Sequence, residues 1–311
     1  MKQVESIVLA ALAVAGLVVP AAIAQEAPSA SETQEQGTGP YPAQIDTAAG
    51  LADHVVYRPA DLAALGKNRL GVLVWGNGGC SADGASARKH LLEIASHGYL
   101  VIAPGKVLSG PGAVGTREPR RPDAAGGLPP VATTATDVAK GIDWALAEGR
   151  RKGSALFGRI DSRSVAVGGH SCGGLQALQL AADPRVRTVM VHNSGIFTDG
   201  TNPIRGLTVS KDLLKTLRTP VIYFLGGPSD IAHPNGTDDF KRIDHVPAVL
   251  LQSQVGHGGT FGKPHGGAVA AVSVDWLEWQ LRGDRSAART FTGVNCRLCT
   301  AADWTIERKG L

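Results

Sequence analysis

The chain has 311 residues, of which 43% are hydrophobic and 19% charged, with four cysteines and a net charge of +4. One sizeable apolar core can be built from such a chain, and a single domain over residues 45–311 is the expectation. The small positive surplus is spread along the sequence, so neither nucleic acid nor an anionic membrane is implied as a partner.

Met1 and Lys2 open a short charged region, residues 7–19 are apolar, and Ala22-Ile23-Ala24 is a small-x-small site. Residues 1–24 therefore read as a signal peptide, and the remainder as a secreted or periplasmic product with no lipid-anchoring Cys at the cut. No later segment is long and apolar enough to span a bilayer. Residues 25–44 read as a flexible leader, and a monomer is expected.

Residues 53–59 look like an edge strand closed by Pro59, and residues 70–75 are a buried-strand run that stops at Gly76-Asn77-Gly78-Gly79-Cys80. Residues 85–97 carry Ala87, Leu91, Ile94 and Ala95 at helical spacing and end at Gly98; residues 99–103 form the next strand. Residues 104–131 are a long Gly- and Pro-rich loop bearing Arg117, Arg120 and Arg121, read as part of a pocket rim. A helix over 134–148, strands over 164–167, 185–192, 220–225 and 248–252, and a helix over 269–281 follow. Strands alternating with helices predict an α/β fold, a mostly parallel twisted sheet with helices on both faces.

The segment Gly168-Gly169-His170-Ser171-Cys172-Gly173-Gly174 lies between a short β-type run and Leu175 to Ala182, which are good helix formers. In a chain with 40 glycines the pattern Gly-x-Ser-x-Gly alone decides little, but strand, sharp turn and helix in this order describe a nucleophile elbow presenting Ser171. A serine hydroxyl needs a general base, and the base needs a carboxylate to orient it. Two later strand ends supply them: Asp230 follows strand 220–225 in Gly226-Gly227-Pro228-Ser229-Asp230, and His257 follows strand 248–252 in Gly256-His257-Gly258-Gly259. The order Ser171, Asp230, His257 is that of α/β-hydrolases. Asp199, Asp238 and Asp239 are rival acids and His265 a rival base, but none sits directly at a strand end flanked by glycines. The expected oxyanion donors are the backbone N–H groups of Cys172 and Asn77, with Gly78 next. His170 reads as a structural neighbour, Trp75 and Trp279 as core.

No cofactor is implied, and no histidines show a metal-ligand spacing. Cys80, Cys172, Cys296 and Cys299 in an exported chain can pair in three ways, with Cys296-x-x-Cys299 reading as a local bridge.

Residues 157–174, from Phe157 to Gly174, resemble the elbow region of bacterial polyester hydrolases of the cutinase and PET-hydrolase type, in the dienelactone-hydrolase-like branch of the α/β-hydrolases. The likeness runs from about residue 53 to about 291, with Gly98 to Ala103 and Pro220 to Ala232 in step. It implies a serine ester hydrolase acting through an acyl-enzyme on small-molecule or polymeric esters, with the acid at Asp230. The chain departs from that pattern in having Cys172 in place of Met, Trp-Gly-Asn-Gly-Gly in the oxyanion loop, and Gly195-Ile196-Phe197 where a tryptophan is usual. The family's matching side chains face each other across the pocket floor, which implies a Cys80 to Cys172 bridge and leaves Cys296 for Cys299. A serine peptidase or acyltransferase would use the same triad, and a non-catalytic binding protein could share the fold.

Overall fold

The computed structural model describes residues 36–116, 130–198, 200 and 202–311. The segment expected as signal peptide and most of that expected as leader, together with Asp199 and the three loop arginines, therefore lie outside the described residues.

Among the described residues nine strands form one sheet: β1 (Ala43–Ala48), β2 (Leu51–Pro59), β3 (Leu70–Gly76), β4 (Tyr99–Pro104), β5 (Ile160–His170), β6 (Val186–His192), β7 (Val221–Leu225), β8 (Ala248–Gln252) and β9 (Thr305–Lys309). Their order is β1-β2-β4-β3-β5-β6-β7-β8-β9. The six central strands from β4 to β8 run parallel, while β1, β2 and β9 pair antiparallel at the margins. The protein is thus an α/β protein with a mostly parallel sheet.

Helices α1 (Arg88–Ser96), α2 (Ala135–Arg150), α3 (Cys172–Gln179), α4 (His233–Arg242), α5 (Gly267–Arg282) and α6 (Arg285–Ala288) fill the connections. Strand residues alternate between two cores, as a period of two requires. Val72, Val74, Val165, Val167, Val189 and Val191 meet Ile142 of α2 and Leu175 of α3. Leu73, Trp75, Ala166, Met190 and Ile222 meet Leu91 and Ile94 of α1 and Trp276 of α5. With both faces covered, β3, β4, β7 and β8 have no polar side, which is why they read as nearly continuous apolar runs. Thr134 caps α2 in a reciprocal box with Asp137, and Gly283 in the left-handed region ends α5.

Two expectations need correction. Residues 36–44 are not flexible leader: Thr38 bonds Glu93, the Tyr41 N–H donates to the Ser96 carbonyl, and β1 begins at Ala43. For the same reason β2 is not an edge strand, since β1 covers its outer side. The expectation of an edge rested on Pro59, which closes the strand without exposing it.

Trp276 is fully buried, and its indole N–H donates to the Thr188 hydroxyl at 2.7 Å, tying α5 to the sheet. Trp276→Ala should lower the unfolding free energy by about 3–5 kcal/mol in a urea titration.

Candidate active site

The chain runs outward from β3 to β4 on one side and from β5 onward on the other, so the crevice between the carboxyl ends of β3 and β5 is the switch point of the sheet. Gly76 of β3 pairs with Gly169 of β5, and α3 begins directly above them. A Cβ on Gly169 would run into the Gly173 carbonyl, and one on Gly173 into the Gly76 carbonyl. Only glycines let the strand ends and the helix approach so closely.

Ser171 sits at this turn with φ 53° and ψ −122°, a strained conformation for a residue with a side chain. Its N–H donates to the His192 carbonyl at 2.9 Å, and its carbonyl accepts from the Gly174 N–H and from the Ser194 hydroxyl. These bonds hold the turn while the Ser171 hydroxyl stays at the mouth of a cavity.

The structure brings Ser171, His257 and Asp230 together from the ends of β5, β8 and β7. His257 Nε2 lies 2.9 Å from Ser171 Oγ, and its Nδ1 lies 2.6 Å from Asp230 Oδ1. A carboxylate only accepts, so Nδ1 carries the proton toward Asp230 and Nε2 faces the serine hydroxyl as acceptor. Asp230 is 1% exposed. Its Oδ1 also accepts from the Ala232 N–H, and its Oδ2 from the Gly226 N–H and the Asn193 amide. Burial by itself would raise the carboxyl's pKa, but the bonds from His257, Gly226, Ala232 and Asn193 outweigh it and hold the group well below the usual carboxylate range.

Asn193 is a residue that the sequence reading missed. It follows β6 with φ 46°, and its amide bridges Asp230 Oδ2 at 2.8 Å and the Gly256 carbonyl at 3.0 Å, locking the acid to the loop that carries His257. The available signal was an Asn at a strand end, a residue type that tolerates the left-handed region. His170 is also structural in a definite way: its Nε2–H donates to the His257 carbonyl at 2.8 Å.

The rivals lie elsewhere. His265 Nδ1 is 3.9 Å from Glu93 on α1, Asp238 pairs with Arg242 and Lys211, and Asp239 is buried against Lys211, Tyr223 and the Ile196 N–H. Beneath the site Trp75, His90 and His192 pack as buried rings with centroids 5.0 to 5.2 Å apart. Burial pushes His90 down to about 3, with His170 adding to the shift, so this ring is neutral.

Cys172, the first residue of α3, is bonded to Cys80, with Cα atoms 5.3 Å apart, and Cys296 is bonded to Cys299. The first bond ties the loop after β3 to the elbow. Its Cys172 N–H is one of the first-turn donors that a helix leaves without a carbonyl of its own. In that loop the Asn77 side chain is fully buried and donates to the Ser81 and Pro104 carbonyls, while Gly78 and Gly79 line the cavity with Ser171.

No protein-family model and no curated protein matches the chain. The site's main cavity is about 320 Å³, lined by Gly78, Gly79, His170, Ser171, His257 and Phe261. On the other side of Ser171 a recess of about 80 Å³ is bounded by Leu175, Phe197, Ile204 and Ile231. Among the described residues no cluster of three or more His, Cys, Asp or Glu side chains could hold a metal ion.

Because its folded pKa is depressed, Asp230 contributes stability above its unfolded value of 3.8, and this is lost as pH falls through the folded value. The stability advantage of the parent over Asp230→Asn, measured by urea unfolding, should shrink steadily as pH falls below about pH 4. The Cys80 to Cys172 bond closes a loop with a sequence separation of 92. Replacing both by Ala should cost about 2–5 kcal/mol in the same assay.

Proposed function

We propose that the chain is a serine hydrolase of the α/β-hydrolase fold that cleaves carboxylic esters through an acyl-enzyme, and that it works in an oxidising compartment outside the cytoplasm. The observation that carries this reading is the continuous relay from Ser171 Oγ through both His257 nitrogens to a buried, fully bonded Asp230, on a serine held at positive φ. The two disulfides support the compartment.

In this mechanism Ser171 Oγ attacks the ester carbonyl carbon as its proton passes to His257 Nε2. The carbonyl π pair moves onto oxygen, where the N–H groups of Cys172 and Asn77 hold the charge. The positive end of α3 points the same way. The C–O bond to the alcohol then breaks, and His257 gives its proton to the departing oxygen. Water repeats the sequence: His257 takes its proton, hydroxyl oxygen adds to the acyl carbon, and Ser171 leaves with the proton returned. Asp230 stays ionised throughout, orienting the ring and stabilising the imidazolium.

Two variants test the assignment against p-nitrophenyl acyl esters. Ser171→Ala and His257→Ala should each fold like the parent and turn over these esters about a thousandfold or more slowly, while His265→Ala stays within a few-fold. Parent-like turnover in Ser171→Ala, or a loss in His265→Ala with His257→Ala intact, would overturn it.

A further inference from the structure

The positive surplus is spread along the sequence but gathered in the fold. Parallel strands begin at one end of their sheet, so the segments leading into β3, β5, β6 and β7 meet at the end opposite Ser171. Residues 60–70, 143–163, 183–187 and 212–220 hold eleven Lys and Arg side chains against six Asp and Glu, a surplus of five. The whole chain carries +4, so the rest of it has no positive surplus.

These segments touch one another. The Leu70 N–H donates to the Arg159 carbonyl, the Arg159 guanidinium to the Leu62 carbonyl, and the Val189 N–H to the Pro220 carbonyl. Lys67 and Arg69 line one groove with Asp161.

Most of the acids here are already engaged. Glu148 pairs with Arg151 and accepts from Ser154, Asp161 accepts from Ser164, Asp143 and Asp183 share Arg185, and Asp212 pairs with Lys215. Asp61 accepts from the Ala63 N–H. Lys67, Arg69, Arg150, Lys152, Arg187 and Arg218 are exposed, and among the described residues none of them has a carboxylate within ion-pair distance. Cations crowded in this way repel one another, and a counter-surface of opposite sign relieves that repulsion.

Phe157 lies between Lys152 and Arg159 on a turn closed by its own N–H to the Ser154 carbonyl, and it is 48% exposed. An exposed aromatic ring among cations fits a surface with an anionic layer outside and an apolar one beneath. A nucleic acid supplies the charge without the apolar phase.

We propose that this end of the sheet docks on an anionic lipid bilayer, with its cations against the headgroups and Phe157 entering the interface. The seven residues of β3 span roughly 20 Å, so Ser171 at the far strand ends stays open to solvent. The proposal stands independently of the esterase reading.

The test sediments the intact chain with vesicles of phosphatidylcholine alone and of phosphatidylcholine with about one third phosphatidylglycerol. The chain should pellet only with the anionic vesicles and be released as salt rises from about 0.05 to 0.5 M. Arg150→Gln/Lys152→Gln/Arg187→Gln should weaken that binding at least tenfold, and Phe157→Ala about threefold or more, both with melting temperatures close to the parent's. Equal binding to the two kinds of vesicle, or unchanged binding to anionic vesicles in either variant, would overturn the proposal. A DNA duplex that displaces the chain from the vesicles at equal phosphate concentration would also overturn it, by marking the face as one for polyanions.

Discussion

The close approach of three backbones at Gly76, Gly169 and Gly173 is the constraint on which the site depends. It puts the end of β3, the end of β5 and the first turn of α3 in direct contact, with no Cβ between them. From that contact follow the positive φ of Ser171, the exposure of its hydroxyl, and the position of the Cys172 N–H beside the loop after β3. The Cys80 to Cys172 bond fastens the same two segments covalently. In the proposed mechanism this bond keeps the Cys172 and Asn77 N–H donors in place before substrate arrives, so no reorganisation is needed when charge develops.

A second close contact organises the acid and base. A Cβ on Gly226 would run into the Gly256 carbonyl, so the loops after β7 and β8 lie against each other with Asp230 and His257 facing. Asn193 joins both loops from the third side. The buried carboxylate therefore meets four donors, enough to keep it ionised where burial alone would favour its protonation. A charged Asp230 is what allows His257 to be oriented with Nε2 toward Ser171.

Much of this was legible in the sequence because the same physics acts locally. Strands β3, β4, β7 and β8 are covered on both faces and so appear as nearly continuous apolar runs, and Gly-x-Ser-x-Gly encodes a turn that only glycines permit. Strands β1 and β9 were not legible. Ala43–Ala48 and Thr305–Lys309 are short, partly polar margins whose pairing is set by β2 and β8, not by their own pattern. Asn193 escaped for a similar reason: its partners are 37 and 63 residues away, and nothing adjacent to it announces them.

The account rests on Ser171 being a hydroxyl made reactive by its surroundings, and one measurement addresses that directly. The intact chain is treated with a fluorophosphonate and mapped by peptide mass spectrometry. The account predicts a single stoichiometric adduct on Ser171, absent from His257→Ala over the same interval. An unlabelled Ser171, or labelling spread over other serines at comparable rates, would contradict it.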